Sequence, residues 1–151
     1  MASIIRETHI DASASDVWDA VRDFGAVDKR LVPGFVIESS LDGDTTRIVT
    51  FFNGRTAREV LVGVDDDSRR LAYSVTKGPL GATHHNSSAQ IFDGGEHGSR
   101  FVWITDVLPD ELAVSVGELM DRGIAVIKQT LESAGTAALG RSGLTSRHRT
   151  R

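Results

Sequence analysis

The sequence has 151 residues, 40% of them hydrophobic, and a formal net charge of −4. This length and apolar content suit one globular domain with a buried core. The absence of cysteine excludes disulfides, thiol nucleophiles and thiolate metal sites. No run of about 18 apolar residues and no signal-type leader is visible, so we expect a cytoplasmic protein without stable membrane insertion.

The charge is distributed unevenly along the chain. The final segment, GRSGLTSRHRTR, carries four of the 17 basic residues and no acid, which leaves 13 basic against 21 acidic residues before it. An acidic body argues against a nucleic-acid partner, because phosphate binding requires a basic surface. We predict a domain over residues 1–138 and a basic, disordered tail over 139–151.

The N-terminal part of the chain predicts one strand and two short helices. Alternation over residues 3–9 indicates the strand. Ser13 stands three residues before Asp16, ahead of an amphipathic stretch that includes Trp18, which predicts a capped helix with Trp18 in the core. A second, shorter helical segment follows between Gly25 and Pro33.

The middle of the chain predicts six more strands. Each β-rich run is separated from the next by a short turn, such as Asp42-Gly43 or Asn53-Gly54. Connections this short join antiparallel neighbours. The predicted strands cover residues 35–41, 46–52, 56–64, 70–76, 82–92 and 99–107.

The C-terminal part predicts one long helix. Apolar residues recur at steps of three and four from Leu112 to Ala134, and Gly135 predicts the end of the helix. The fold class is therefore α+β, with a helix across one face of an antiparallel sheet.

This order of elements resembles the helix-grip fold of the START-like or SRPBCC superfamily, over residues 1 to about 135. The superfamily includes polyketide cyclases and dehydrases, birch-pollen-type allergens and plant abscisic acid receptors. The segment EVLVGVDDDSRRLAYSVTKGPLGATHHNSSAQ, residues 59–90, is similar to the same stretch of those receptors. The resemblance implies a curved seven-stranded antiparallel sheet that wraps the long helix and leaves a cavity for a small hydrophobic molecule.

The resemblance also implies which residues face that cavity. Strand periodicity agrees in part, because Phe101, Trp103 and Thr105 share one face of their strand. Likewise, His85 and Ser87 share a face, which leaves His84 outward. The implied ligand-binding residues are Phe51, Glu59, Tyr73, His85, Ser87, Phe101, Trp103, Thr105, Leu119, Gly123 and Ile127.

Glu59 and Gly123 are the most informative of these residues. A carboxylate that faces an apolar cavity needs a partner, and His85 and Tyr73 are candidates; the alternative is a Glu59 that points into solvent beside arginines. Gly123 costs about 1 kcal/mol relative to alanine within a helix. Either a ligand or the sheet must approach it closely.

Two functions fit these features. The first, which we favour, is binding of a small, largely apolar ligand such as a lipid, a polyketide or an isoprenoid. The second is a cyclase or dehydrase in which Glu59 and His85 transfer protons. We expect no cofactor and no metal: residues 65–67 suit a turn better than a calcium loop, and His84 and His85 lie on opposite strand faces. A monomer and a homodimer are both compatible with the sequence.

Overall fold

The computed structural model describes residues 2–96 and 98–148, with side chains of the last helix described as far as residue 135. It has the predicted α+β helix-grip fold. Three α-helices and seven strands follow in the order β1 Ala2–Ile10, α1 Ala14–Arg22, α2 Val27–Arg30, β2 Val36–Leu41, β3 Thr46–Phe51, β4 Thr56–Asp65, β5 Arg70–Lys77, β6 His84–Asp93, β7 Ser99–Leu108 and α3 Ala113–His148.

The seven strands form one antiparallel sheet in the order β1-β7-β6-β5-β4-β3-β2. Strands β2 to β7 are a meander, as their short connections predict. Strand β1 closes the order by pairing with β7. The register shifts twice in β4, between Arg58 and Glu59 and between Leu61 and Gly63. Irregularities of this kind bend a strand and increase its twist, which curves the sheet around α3.

The helix α1 begins at the predicted cap and is fixed to the sheet by Trp18. The Oγ atom of Ser13 accepts a hydrogen bond from the backbone N–H of Asp16 at 3.1 Å. Trp18 is buried, and its Nε1 donates to Asp66 Oδ1 at 2.9 Å. Arg22 binds the same carboxylate at 3.0 Å. The acidic turn at residues 65–67 therefore joins β4 to β5 and anchors α1.

The helix α3 is longer than its sequence predicts. The helix continues to His148, so the end predicted at Gly135 is wrong. Gly135 does not have the positive φ that a terminating glycine adopts, and the alanines that follow it favour helix. The helix includes residues 139–148 of the predicted tail. Residues 149–151 lie outside the described residues, and the domain boundary at residue 138 stays a prediction.

The core lies between the concave face of the sheet and α3. The buried residues of α3 recur at helical spacing and include Val116, Met120, Ile127 and Leu131. The helix α1 covers one end of the same core with Val17, Val21 and Trp18. Between these contacts, α3 does not fill the space inside the sheet.

Candidate functional site

A cavity of about 130 Å³ lies between the sheet and α3. Most of its walls are apolar side chains, with Phe101 and Trp103 from β7, Leu71 from β5 and Ile127 from α3 among them. A few polar groups interrupt this surface, as in ligand sites generally. These polar residues are Arg47, Glu59, Tyr73, His85 and Thr105.

A second, outer pocket of about 400 Å³ adjoins the cavity. Its walls come from the β3–β4 turn, the β5–β6 loop and the first half of α3. The two spaces share Phe51, Glu59, Leu80, His85 and Leu119 as lining residues. They are therefore neighbouring parts of one hollow, and we call the outer part the mouth.

Nine of the eleven predicted ligand-binding residues line the inner cavity. Ser87 and Gly123 are the two that do not. Ser87 is fully buried within the sheet, and Gly123 is covered by the side chains of Trp103 and Phe35. The nine lining residues are Phe51, Glu59, Tyr73, His85, Phe101, Trp103, Thr105, Leu119 and Ile127.

Glu59 faces inward, but its partner is not one of those expected. The Oε1 atom of Glu59 accepts a hydrogen bond from Nε of Arg47 at 2.7 Å, and both side chains are buried. Arg47 also donates through Nη1 to the carbonyl oxygen of Phe24 at 3.2 Å. Its guanidinium carbon lies 4.0 Å from the centroid of the Phe24 ring and 5.1 Å from that of Tyr73. The cavity wall thus contains a compensated ion pair rather than a lone carboxylate.

Arg47 is the polar cavity residue that the sequence analysis did not predict. Strands β3 and β4 form a hairpin around Asn53-Gly54, and the register pairs Arg47 with Glu59 and Val49 with Ala57. Arg47, Val49 and Phe51 alternate on one strand, so the inward direction of Phe51 also predicts that of Arg47. The hairpin turn and this alternation indicate that Arg47 and Glu59 face the same side of neighbouring strands, whereas their pairing depends on the register between the strands.

The titration of two cavity residues is shifted by burial. Burial raises the pKa of Tyr73 to about 12; the Glu59 carboxylate adds to the rise and Arg47 opposes it. Burial lowers the pKa of His85 below its ordinary value of 6.5, and the charge of Glu59 offsets part of that change. Near pH 7, therefore, both Tyr73 and His85 are neutral.

Two hydroxyl groups satisfy each other in the wall below the cavity. Ser87 Oγ and Thr105 Oγ1 lie 2.8 Å apart on paired positions of β6 and β7, and both residues are 1% exposed. Only Thr105 lines the cavity. Ser87 therefore contributes to the site by holding the Thr105 hydroxyl in place.

Gly123 allows close contact between α3 and the sheet. A Cβ atom added at Gly123 would lie 3.1 Å from Cζ3 and 3.2 Å from Cη2 of Trp103. Of the two explanations that the sequence left open, close approach of the sheet is the one seen here. Trp103 reaches this position while still lining the cavity.

The part of the chain that the structure describes contains no group of three or more histidine or acidic side chains placed to hold a metal ion. No helix among the described residues combines the length and apolar character needed to cross a membrane.

The fold and the hollow define a helix-grip protein with an internal cavity. A family model described as polyketide cyclase/dehydrase and lipid transport matches residues 1–135. The chain therefore belongs to this family, within the START-like, SRPBCC superfamily. A search of curated proteins gave no significant match.

Solved structures show the same fold. XoxI from Bacillus cereus is 24% identical, with a TM-score of 0.78, over 90% of this chain and 96% of that chain. Norcoclaurine synthase from Thalictrum flavum is 20% identical, with a TM-score of 0.68, over 91% and 95% of the two chains. A START superfamily protein from Mycobacterium smegmatis is 14% identical, with a TM-score of 0.68, over 90% and 98%. At these identities, the likeness concerns the fold alone.

Proposed function

We propose that this protein binds a small, largely apolar molecule in the hollow between its sheet and α3. The observation that carries the proposal is the combination of an inner cavity with mostly apolar walls and a wider mouth that adjoins it. A water-sized group takes about 30 Å³ in a liquid, so the inner cavity of about 130 Å³ has room for on the order of four such groups. That is enough for a short aliphatic segment, and the mouth holds the remainder of the ligand.

The polar groups of the wall give the ligand an orientation. Two of them are held by other side chains: Glu59 by Arg47, and the Thr105 hydroxyl by Ser87. A ligand with one oxygenated position fits such a surface better than a pure hydrocarbon, because the polar groups keep partners when water leaves. Lipid, polyketide and isoprenoid ligands all meet this description.

The cyclase or dehydrase alternative is favoured by one observation. His85 is neutral near pH 7 and lines the same cavity as Glu59, so an imidazole base and a carboxylate face one space. The hydrogen bond from Nε of Arg47 occupies one of the two oxygens of Glu59. Glu59 is therefore a weak candidate for proton transfer, and we place binding first.

Titration with the neutral fluorescent probe N-phenyl-1-naphthylamine tests the binding proposal. We expect saturable binding that Leu119→Trp abolishes, because Leu119 lines both parts of the hollow and the indole would fill them. Ala125→Trp is the matched control, since residue 125 is exposed on the same helix. Binding that is absent, or that survives Leu119→Trp, contradicts the proposal.

Catalysis is tested separately with a poly-β-keto model substrate. If the protein only binds its ligand, no turnover is seen in the parent protein. If it is an enzyme, Glu59→Gln and His85→Ala each remove turnover while probe binding persists.

Cytoplasmic location and the choice between monomer and homodimer stay predictions of the sequence.

A further inference from the structure

We propose that the mouth of the hollow binds an anionic head group, a carboxylate or a phosphate, of an amphiphile whose apolar part enters the inner cavity. This inference rests on the proposed function. Its starting observation is that three cationic side chains line the mouth: Arg55, Lys77 and Arg122. They come from the β3–β4 turn, the end of β5 and α3, so three separate elements contribute one cation each.

These three cations are not committed to ion pairs within the protein. In the part of the chain whose side chains are described, Arg55, Lys77 and Arg122 make no salt bridge, and all three are exposed. Most other described cations are paired. Those with a carboxylate partner are Arg6, Arg22, Arg30, Arg47, Arg58, Arg100 and Lys128.

The remaining charges at the mouth leave a positive excess. Two carboxylates line it, Glu59 and Glu118. Glu59 is compensated by the buried Arg47, and His85 is neutral near pH 7 because burial lowers its pKa. Three cations therefore face one uncompensated carboxylate, in a chain whose net charge is −4. A local positive excess of this kind raises the concentration of anions at the opening.

An aromatic contact orients the guanidinium of Arg122 at the mouth. Its guanidinium carbon lies 3.9 Å from the centroid of the Phe52 ring, and Phe52 packs against Phe35 with ring centroids 5.8 Å apart. Stacking on a ring uses the face of the guanidinium and leaves its N–H edge free to donate. A planar fork of donors held in this way matches the two oxygens of a carboxylate or a phosphate.

The two parts of the hollow differ in where their charges lie. The mouth has the three exposed cations beside apolar side chains such as Phe51 and Leu80, whereas the inner cavity is lined mostly by aromatic and aliphatic side chains. An amphiphile with one charged end satisfies both regions at once. With a neutral apolar ligand the three exposed cations stay hydrated and contribute nothing to binding.

Displacement of N-phenyl-1-naphthylamine by ten-carbon competitors tests the inference. The competitors are decanoate, decyl phosphate, 1-decanol and decyltrimethylammonium, which share a chain and differ in the head group. We expect at least one of the two anions to bind about tenfold or more tightly than the alcohol, and the cation to bind weakest. The preference for an anion should fall at about 0.5 M NaCl, where exposed charges are screened. Comparing decanoate with decyl phosphate identifies the preferred anion.

The triple variant Arg55→Gln/Lys77→Gln/Arg122→Gln should lose the preference for anions and keep the affinity for 1-decanol. The variant Lys29→Gln/Arg70→Gln/Arg100→Gln is the control. It removes the same charge from exposed positions outside the mouth, and Arg100 also stacks on a phenylalanine, with its guanidinium carbon 4.6 Å from the centroid of Phe92. It should behave as the parent protein does.

The outcomes separate the two proposals. Equal binding of anion and alcohol by the parent protein overturns the head-group inference and leaves the proposed function standing. Failure of the probe and all competitors to bind contradicts both. If the triple variant keeps its preference for free anions but loses adhesion to phosphatidylglycerol vesicles, the cations serve membrane contact and the inference is wrong.

Discussion

Arg47 and Glu59 form a buried ion pair across β3 and β4, with Nε and Oε1 2.7 Å apart and side chains 8% and 10% exposed. The pair lies on the wall of the cavity, and the Arg47 guanidinium also contacts the rings of Phe24 and Tyr73. Either charge would therefore destabilise the folded protein if the other were removed. This relationship makes the wall polar without leaving a free charge in it.

Glu59→Leu should destabilise the protein strongly. The substitution leaves the Arg47 guanidinium buried without its counter-charge, and loss of one partner of a buried pair costs about 3–5 kcal/mol. We expect the free energy of unfolding, measured by urea denaturation, to fall by an amount of that order. The double variant Arg47→Met/Glu59→Leu should recover most of the loss, because no buried charge remains.

An exposed ion pair between β4 and the β2–β3 turn provides the control. Arg58 Nη1 lies 2.8 Å from Asp42 Oδ2, and both side chains are well exposed. Asp42→Asn should change the free energy of unfolding by less than about 1 kcal/mol. Equal effects of Glu59→Leu and Asp42→Asn would show that the Arg47–Glu59 pair is not buried as described.

Tyr73 should titrate near pH 12, well above an exposed tyrosine. It is the only tyrosine in the sequence, so the phenolate absorbance near 295 nm reports this one group. Burial, aided by the charge of Glu59, raises the pKa of Tyr73 from 10.0 to about 12. Glu59→Gln should lower the midpoint of the titration, because it removes the negative charge.

This pKa has a consequence for stability at alkaline pH. Between pH 10 and about 12, the unfolded chain loses the phenolic proton while the folded protein retains it. The free energy of unfolding should therefore fall as pH rises through this window, by about 1.4 kcal/mol per unit of pKa difference. Tyr73→Phe should remove that part of the pH dependence. A midpoint near 10 while circular dichroism still shows the folded state would contradict a buried Tyr73.

Gly123→Ala should move Trp103 and weaken ligand binding. The new methyl group would lie 3.1 Å from the indole of Trp103, so the indole must shift. The free space beside the indole is the cavity, because Trp103 lines it. Alanine favours the helix by about 1 kcal/mol, which offsets part of the cost of the contact. We expect little change in stability, a shifted tryptophan emission and lower affinity for N-phenyl-1-naphthylamine.

Gly117→Ala is the matched control on the same helix. A Cβ atom at Gly117 would meet Nη2 of Arg6 at 2.8 Å, and this atom is the far end of a flexible side chain. Tryptophan emission and probe affinity should both be unchanged. If Gly123→Ala also leaves them unchanged, Trp103 does not rest against this glycine.

The fold was predictable because its signals are local and repeated. Each hairpin turn, such as Asn53-Gly54, joins two β-rich runs, and the Ser13 cap begins α1 where the sequence predicts. The end of α3 was not predictable from Gly135 alone. A glycine ends a helix only when the chain adopts a positive φ, and here the alanines that follow continue the helix.

The sequence predicted which side chains face the cavity but not which of them bind each other. Periodicity gives the face of a strand on which a residue lies, and Glu59, Tyr73 and His85 all line the cavity. Which group binds Glu59 depends on the register between β3 and β4. Arg47 was not predicted as the partner because an arginine side chain is seldom buried. The role of Gly123 depends on the position of Trp103 on a strand distant in sequence, which no local pattern specifies.

Thr105→Val should destabilise the protein by removing the buried hydrogen bond between Thr105 and Ser87. The two hydroxyl oxygens lie 2.8 Å apart and are shielded from water, and Tyr73 remains beside Ser87, so we expect a loss of about 0.5–1.5 kcal/mol. The double variant Ser87→Ala/Thr105→Val should be closer to the parent protein in urea denaturation, since neither hydroxyl then remains.

A solvent-exposed hydrogen bond is the control for this change in the free energy of unfolding. Ser3 Oγ donates to Asp106 Oδ1 at 2.6 Å on the surface, and Ser3→Ala should change the free energy of unfolding by about 0.5 kcal/mol or less. If the double variant Ser87→Ala/Thr105→Val is no more stable than Thr105→Val, the two hydroxyls do not act as a pair.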